Sequence, residues 1–171
     1  MPDEPIPTAR TINRRTVMVV DDDLDNASAI IASLYQAWVD ALRTHTFTWL
    51  DEHLAEDFEF TARPYPGLRL DKAGFIEADK KMQTADIRFI AVRAQRVGDT
   101  VLSLAVADVA ETFAGDLGAH MPSLESMHGL LGKNRLAYAS AWRNVADTWV
   151  CFHHHMIGPV GAQHETSKNP R

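Results

Sequence analysis

Residues 138–160 read YASAWRNVADTWVCFHHHMIGPV, and the alternation inside them decides the fold. Tyr138, Ser140, Trp142 and Asn144 recur at every second position, with Ala139, Ala141 and Arg143 between them. A period of two puts the first set on one face of a strand and the second set on the other. Ala146-Asp147 interrupts the pattern as a short turn, and the alternation resumes after it. The stretch is therefore a pair of antiparallel strands, Leu136–Val145 and Thr148–Met156. Parity in the second strand groups Val150, Phe152, His154 and Met156 on one face and Trp149, Cys151, His153 and His155 on the other.

The same signal continues upstream. Ile87–Val97 and Val101–Phe113 are β-rich runs joined by Gly98-Asp99, a hairpin turn. Residues 114–134, with glycines and scattered His and Met, read as a long excursion. That excursion suits a lid (His120, Met121, His128) or an oligomer contact.

The first third of the chain has the other period. Ile30, Ile31, Leu34, Trp38 and Leu42 lie three or four residues apart, the apolar stripe of a helix that starts at Asp25 or Asn26. Shorter helices fit Phe47–Leu54 and Asp71–Met82, and Asp57–Thr61 reads as a strand. Between them ARPYPG (62–67) is a turn. Helices first and antiparallel strands afterwards make an α+β protein: a curved sheet with helices on one side.

Composition excludes several classes. The 171 residues carry 17 basic and 23 acidic side chains, a formal charge of −6, which argues against a nucleic-acid surface. One cysteine, Cys151, excludes an internal disulfide framework and a cysteine zinc cage. No apolar run is long enough to span a membrane, and the one near the acidic start of the sequence is too short for a secretory signal, so none is expected. The expectation is a cytoplasmic protein with a flexible arm (1–16), one domain (17–160) and a flexible tail (161–171).

Two resemblances follow. TVMVVDDDLDN (16–26) resembles the opening of a response-regulator receiver domain, but Ala62 and Arg63 stand where that domain wants its phosphoacceptor carboxylate. The more extensive one covers about residues 26–160. It rests on SLYQAWVDAL (33–42), HLAEDFEFTARPYPGLRLDKAGFIE (53–77), the paired strands around Val97-Gly98-Asp99 and the closing pair quoted above. Together these resemble the nuclear transport factor 2-like superfamily, in its SnoaL-like branch. The resemblance implies a cone: a strongly bent sheet wrapped around the first helix, open as a pocket at one end. Its members include ketosteroid isomerases, scytalone dehydratases, polyketide cyclases and limonene-epoxide hydrolases, along with non-catalytic binding and assembly modules. Cofactor-free chemistry is usual among the enzymes.

Candidate site residues come from parity and from the resemblance. Tyr138, Ser140 and Trp142 offer two aromatics and a hydroxyl on one face, either a ligand platform or a core stripe. The resemblance puts Ser140 where the isomerases carry an acidic oxyanion-hole residue, Trp38 where they carry a helix-borne tyrosine, and Ala62 where they carry the general base. Tyr35, one turn before Trp38, is the nearest phenol. His154, in a Val/Phe/Met stripe with Phe152 and Met156, is half buried by position; burial favours neutral imidazole, able to act as acid or base. Asp108 interrupts the apolar strand LSLAVADVAETF, so it is either a paired acid–base partner or an outward interface residue. Arg63 and Tyr65 at the mouth could hold an anionic substrate, and a solvated loop arginine is the alternative. Asp40 and Asp79 read as solvated helix residues, and Cys151 as outward or at an interface. His153 and His155 have metal-ligand spacing but no third ligand nearby, so no metal and no cofactor is expected.

The functional expectation is a lyase, dehydratase, isomerase or cyclase acting on a small hydrophobic, aromatic or polyketide-like molecule. His154, Asp108, Tyr138 and Ser140 would be catalytic. Trp38, Tyr35, Arg63, Tyr65, Trp142, Phe152 and Met156 would bind substrate. The alternatives are a non-catalytic ligand-binding or dimerisation module of the same fold, and an epoxide hydrolase using Asp108 and Arg143; a homodimer or higher homo-oligomer is expected.

Overall fold

The computed structural model describes residues 22–161. The expected arm (1–16) and all of the expected tail except Gly161 lie outside them. Helix α1 (Asp22–Thr44) and the short α2 (Phe47–His53) lead into β1 (Leu54–Ala62), β2 (Arg69–Asp71) and α3 (Lys72–Asp79). The remaining elements are β3 (Met82–Val97), β4 (Thr100–Phe113), α4 (Leu124–Leu131), β5 (Asn134–Val145) and β6 (Thr148–Pro159). Six strands form one sheet in the order β2-β1-β6-β5-β4-β3. All neighbours are antiparallel except β1 and β6, which run parallel. The expected α+β architecture, with a long N-terminal helix against a curved, unclosed sheet, is what forms.

The long hairpin β3–β4 turns on Gly98, whose φ of +65° a side chain would resist. Odd positions of β4, from Val101 to Phe113, point inward and are all buried. Helix α1 packs on that face, chiefly across β3, and sends Ile31, Tyr35, Trp38, Val39 and Leu42 into the core. At α3, Asp71 accepts a hydrogen bond from the Gly74 amide (2.8 Å), an N-cap that sets where the helix starts.

Two elements were not expected. Strand β2 is three residues long, too short for an alternating pattern to show. Helix α4 lies inside the 114–134 excursion; Ser123 caps it through the Ser126 amide, and Met127 and Leu131, four apart, bury its inner face. The third helix ends at Asp79, and strand β3 begins at Met82, earlier than the Ile87 expected.

Two register shifts on β6 change which side chains face inward. Ala141 pairs His153 while Trp142 pairs Cys151, leaving Phe152 as an extra residue. Ala137 pairs Gly158 while Tyr138 pairs Met156, leaving Ile157 as another. Such bulges bend the strand and reverse its alternation. Cys151 is thereby brought into the core at 0% exposure, beside Trp142. Phe152 turns outward, with the Arg143 guanidinium 5.0 Å above its ring. Strict parity, which put Phe152 inside and Cys151 outside, is corrected on both.

Among the described residues no helix is long and apolar enough to cross a membrane. Trp142 is fully buried, and its Nε1–H donates to Ser103 Oγ (3.1 Å). Trp142→Ala should therefore lower the unfolding free energy by about 3–5 kcal/mol, read from the urea midpoint at constant m-value.

Candidate functional site

A cavity of about 110 Å³ lies among these elements, of the same order as cavities that accept a single aromatic ring. Every helix and strand except α2 contributes to its wall. The wall is overwhelmingly apolar. Its titratable groups are His154, Asp79, Glu111 and the phenols of Tyr35, Tyr65 and Tyr138, and it contains no lysine or arginine.

His154 stands at the end of a buried hydroxyl chain. Its Nδ1 is 2.7 Å from Ser140 Oγ, which is 2.6 Å from the Tyr35 hydroxyl. The Tyr35 hydroxyl is also 3.2 Å from Ser103 Oγ. The register that pairs Ser103 with Ser140 and Ser140 with His154 puts these groups in one row across β4, β5 and β6. The Tyr138 ring stacks on the imidazole at 5.2 Å and 10°, and Trp38 lies 5.0 Å away. Burial, with lesser repulsion from His153 and His155, pushes the imidazole down to about 3, so it is neutral at physiological pH. Among the described residues its Nε2 has no partner, and the ring lines the cavity.

A pair of carboxyl groups is the second polar feature. Glu111 continues the inward row of β4 past the last pairing with β5, and Asp79 ends α3 one turn after Phe75. Each residue is 7% exposed. Asp79 Oδ2 is buried without a hydrogen-bond partner. Burial pushes Glu111 up to about 7, and burial plus the nearby Glu111 pushes Asp79 well above the carboxylate range. Burial and the same glutamate raise Tyr138.

The expected site residues divide. Tyr35, Trp38, Tyr65, Tyr138, His154 and Met156 line the cavity together. Tyr65 is pinned to α4, its hydroxyl donating to the Ser126 carbonyl (3.0 Å). Ser140 and Trp142 are buried behind the wall, Ser140 bonded to His154 and Tyr35 and Trp142 packed edge-on against Tyr35 and Trp38. Phe152 and Arg63 are not in the wall: Phe152 is turned out by its bulge, and Arg63 is exposed.

Asp108 is corrected most sharply. It is an even position on β4, so it faces outward, bonded to Arg135 Nε (2.7 Å) and Arg88 (3.0 Å). Those two guanidiniums hold it down to about 2, the reverse of a buried acid. Arg143 pairs with Asp57 instead, so the Asp108–Arg143 set does not assemble. Of the excursion, Met121 lines the cavity while His120 is exposed, and His128 Nε2 accepts from the Phe113 amide (3.1 Å). His153 and His155 share Thr61 Oγ1, and no three His, Cys, Asp or Glu converge among the described residues.

Asp79 and Glu111 are what the sequence reading missed. Both had a signal: Glu111 shares parity with Ser103, Ala105, Ala107 and Val109, and Asp79 shares a helix face with Phe75 at i, i+4.

The element order, the β1–β6 parallel pair and the cavity under α1 can now be set beside known structures. A nuclear transport factor 2-like protein from Cytophaga hutchinsonii superimposes with a TM-score of 0.60 at 14% identity, covering 76% of this chain and 96% of that one. The fold is the nuclear transport factor 2-like fold. The association domain of C. elegans CaMKII shares it (TM-score 0.56, 13% identity, 80% and 99% covered). So does a proposed dehydratase of that family from Streptomyces avermitilis (TM-score 0.56, 14% identity, 80% and 99% covered). No protein-family model matches the sequence, and no curated protein is similar to it in sequence. At such identities the nuclear transport factor 2-like fold is shared by catalytic and non-catalytic proteins, and the site has to be argued from its own residues.

The acids have a consequence for stability. The unfolded chain ionises Glu111 near 4.5, while the folded protein keeps its proton up to about 7. Its contribution is complete below pH 4.5 and is lost as pH rises to about 7, roughly 3 kcal/mol in all; Asp79 acts in the same direction. His154 acts oppositely, its contribution being lost as pH falls from 6.5 towards 3. Urea unfolding across pH 4 to 8 should show Glu111→Gln flattening the decline above pH 4.5 and leaving the acid limb in place. Parallel curves for wild type and variant would refute the buried-acid assignment.

Proposed function

We propose that this chain is a cofactor-independent enzyme of the lyase, dehydratase, isomerase or cyclase type, moving a proton on a small hydrophobic molecule held in the cavity. The convergence of two buried acids and a neutral imidazole on one apolar cavity carries the reading. Glu111, titrating near neutrality, is the general base. Asp79, pushed well above the carboxylate range by burial and by the nearby Glu111, is the acid beside it. His154 Nε2 holds or exchanges a proton on the substrate, and Tyr138 stacks against both ring and ligand. Ser140 and Tyr35 are positioning residues: they orient His154 and let its Nδ1 either donate or accept as the hydroxyl chain reverses. The aromatic wall suits the aromatic or polyketide-like substrates of SnoaL-like proteins, and the S. avermitilis neighbour is described as a dehydratase of this fold.

The test uses 5-nitrobenzisoxazole, a neutral aromatic that opens to a coloured phenolate when its ring C–H is deprotonated. The wild type should accelerate the opening, with a rate rising through pH about 7 to a plateau. Glu111→Gln should lose on the order of a hundredfold or more. Undiminished turnover in Glu111→Gln and His154→Ala alike would overturn the assignment.

A second reading, self-association, is favoured by the outer sheet face. Leu102 (49% exposed) and Leu104 (60%) stand out there, with Gln95 and Arg93 beside them on β3 and the small side chains of Ala141 and Ala139 on β5. Sedimentation should show a homodimer or larger assembly, shifted towards monomer by Leu104→Glu. A wild-type monomer at tens of micromolar would sink this reading and leave the first untouched.

A further inference from the structure

We infer that the cavity is built for a hydrophobic cation, an ammonium-type nitrogen carried on a small apolar body. The inference deepens the acid–base reading, since it rests on Asp79 and Glu111 being the working polar end of the site.

Three observations carry it. First, eight aromatic side chains line the cavity, from α1, β1, the 63–68 loop, α3, β3, β4 and β5. A cation within reach of several ring faces gains from each of them, more so when desolvated. Second, among the described residues the two acids have no positive partner. Lys80 and Lys81, which follow Asp79 directly, are engaged elsewhere: Lys80 Nζ with Glu77 (2.7 Å), and Lys81 Nζ with the Asp116 carbonyl. Glu111 has no side-chain partner among the described residues, and Asp79 Oδ2 is buried without a hydrogen-bond partner. A buried polar atom left unmet costs about 1–3 kcal/mol, and an ammonium N–H meets it once the acid gives up its proton. Third, the wall holds no cationic side chain to receive an anion: the other titratable groups lining it are Tyr138, Tyr35, Tyr65 and the neutral His154. A neutral carbonyl ligand would accept from a protonated acid and leave its proton in place, whereas a cation meets the carboxylate and supplies the positive charge that the wall lacks.

Binding a cation beside protonated acids should expel a proton, because a nearby positive charge favours the carboxylate. That separates a cation from every neutral ligand. The probes are three compounds of one shape: 2-phenylethylamine (protonated at pH 6), propylbenzene and 3-phenylpropanoate. Calorimetric titration of the full chain at pH 6, in two buffers of different ionisation enthalpy, gives affinity and protons released together. The amine should bind about tenfold or more tighter than propylbenzene, with about one proton released per site, and the carboxylate weakest. In Asp79→Asn/Glu111→Gln the amine should lose its advantage and its proton release. Propylbenzene binding by that variant reports that the cavity has folded; if it is absent, Glu111→Gln alone should show the same loss.

Equal or tighter binding of propylbenzene or phenylpropanoate overturns the inference. So does amine binding without proton release, or no amine binding at all. Turnover of 5-nitrobenzisoxazole without amine binding would remove this inference and keep the acid–base reading. Amine binding with proton release but no turnover would do the reverse.

Discussion

The Tyr35 hydroxyl is the point on which the structure turns. It is carried by the long helix at 1% exposure and meets Ser140 at 2.6 Å and Ser103 at 3.2 Å, on two different strands. Three hydroxyls, one indole N–H and one imidazole nitrogen are buried there and satisfy one another. Moving the helix by one residue, or slipping a strand, would strand several of them at about 1–3 kcal/mol each. Hydrophobic contact alone tolerates such sliding; the hydroxyl chain does not. The same chain sets the plane of the His154 ring, so helix docking and site geometry are one constraint.

Asp79 and Glu111 sit at the opposite pole. Nothing in the fold requires two carboxyl groups inside an apolar wall, and each opposes folding once ionised. The surrounding core is large enough to absorb that cost. Groups whose environment is unfavourable in the resting protein are the ones most changed by a ligand.

Period and turn chemistry made much of the architecture readable. The β3–β4 hairpin followed from Gly98-Asp99, and α1 from the spacing of Ile31, Leu34, Trp38 and Leu42. The site was readable only in part, because parity is a local rule. It located His154 and Tyr138, and it failed at Phe152 and Cys151, where one inserted residue reverses the faces and leaves no mark in the composition. Asp108 misled for a different reason. An acid amid Ala and Val looks buried, yet Leu102, Leu104 and Val106 on its own face are themselves outward. Glu111 was overlooked because it lies near a strand end, where a charged residue ordinarily reads as solvent-facing. Its burial depends on α3, distant in sequence, and on how the 114–134 excursion folds back over the strand end, which local periodicity does not show.

The parallel pairing of β1 with β6 bears on how the protein comes to exist in a cell. Residues 59–62 wait for residues 153–156, and the two segments join only after nearly the whole chain has been made. Closing so long a loop costs entropy before any contact rewards it, which favours slow folding. During synthesis the β3–β4 hairpin and α1 can associate early, while His154 and Met156 arrive last. Until then Tyr35, Ser103 and Ser140 lack their final partner, and the apolar cavity wall stands open to other hydrophobic chains. The cavity is thus a late product of the ribosome's work: a chain truncated before its last strand would lack His154, Met156 and the strand that joins β1 to β5.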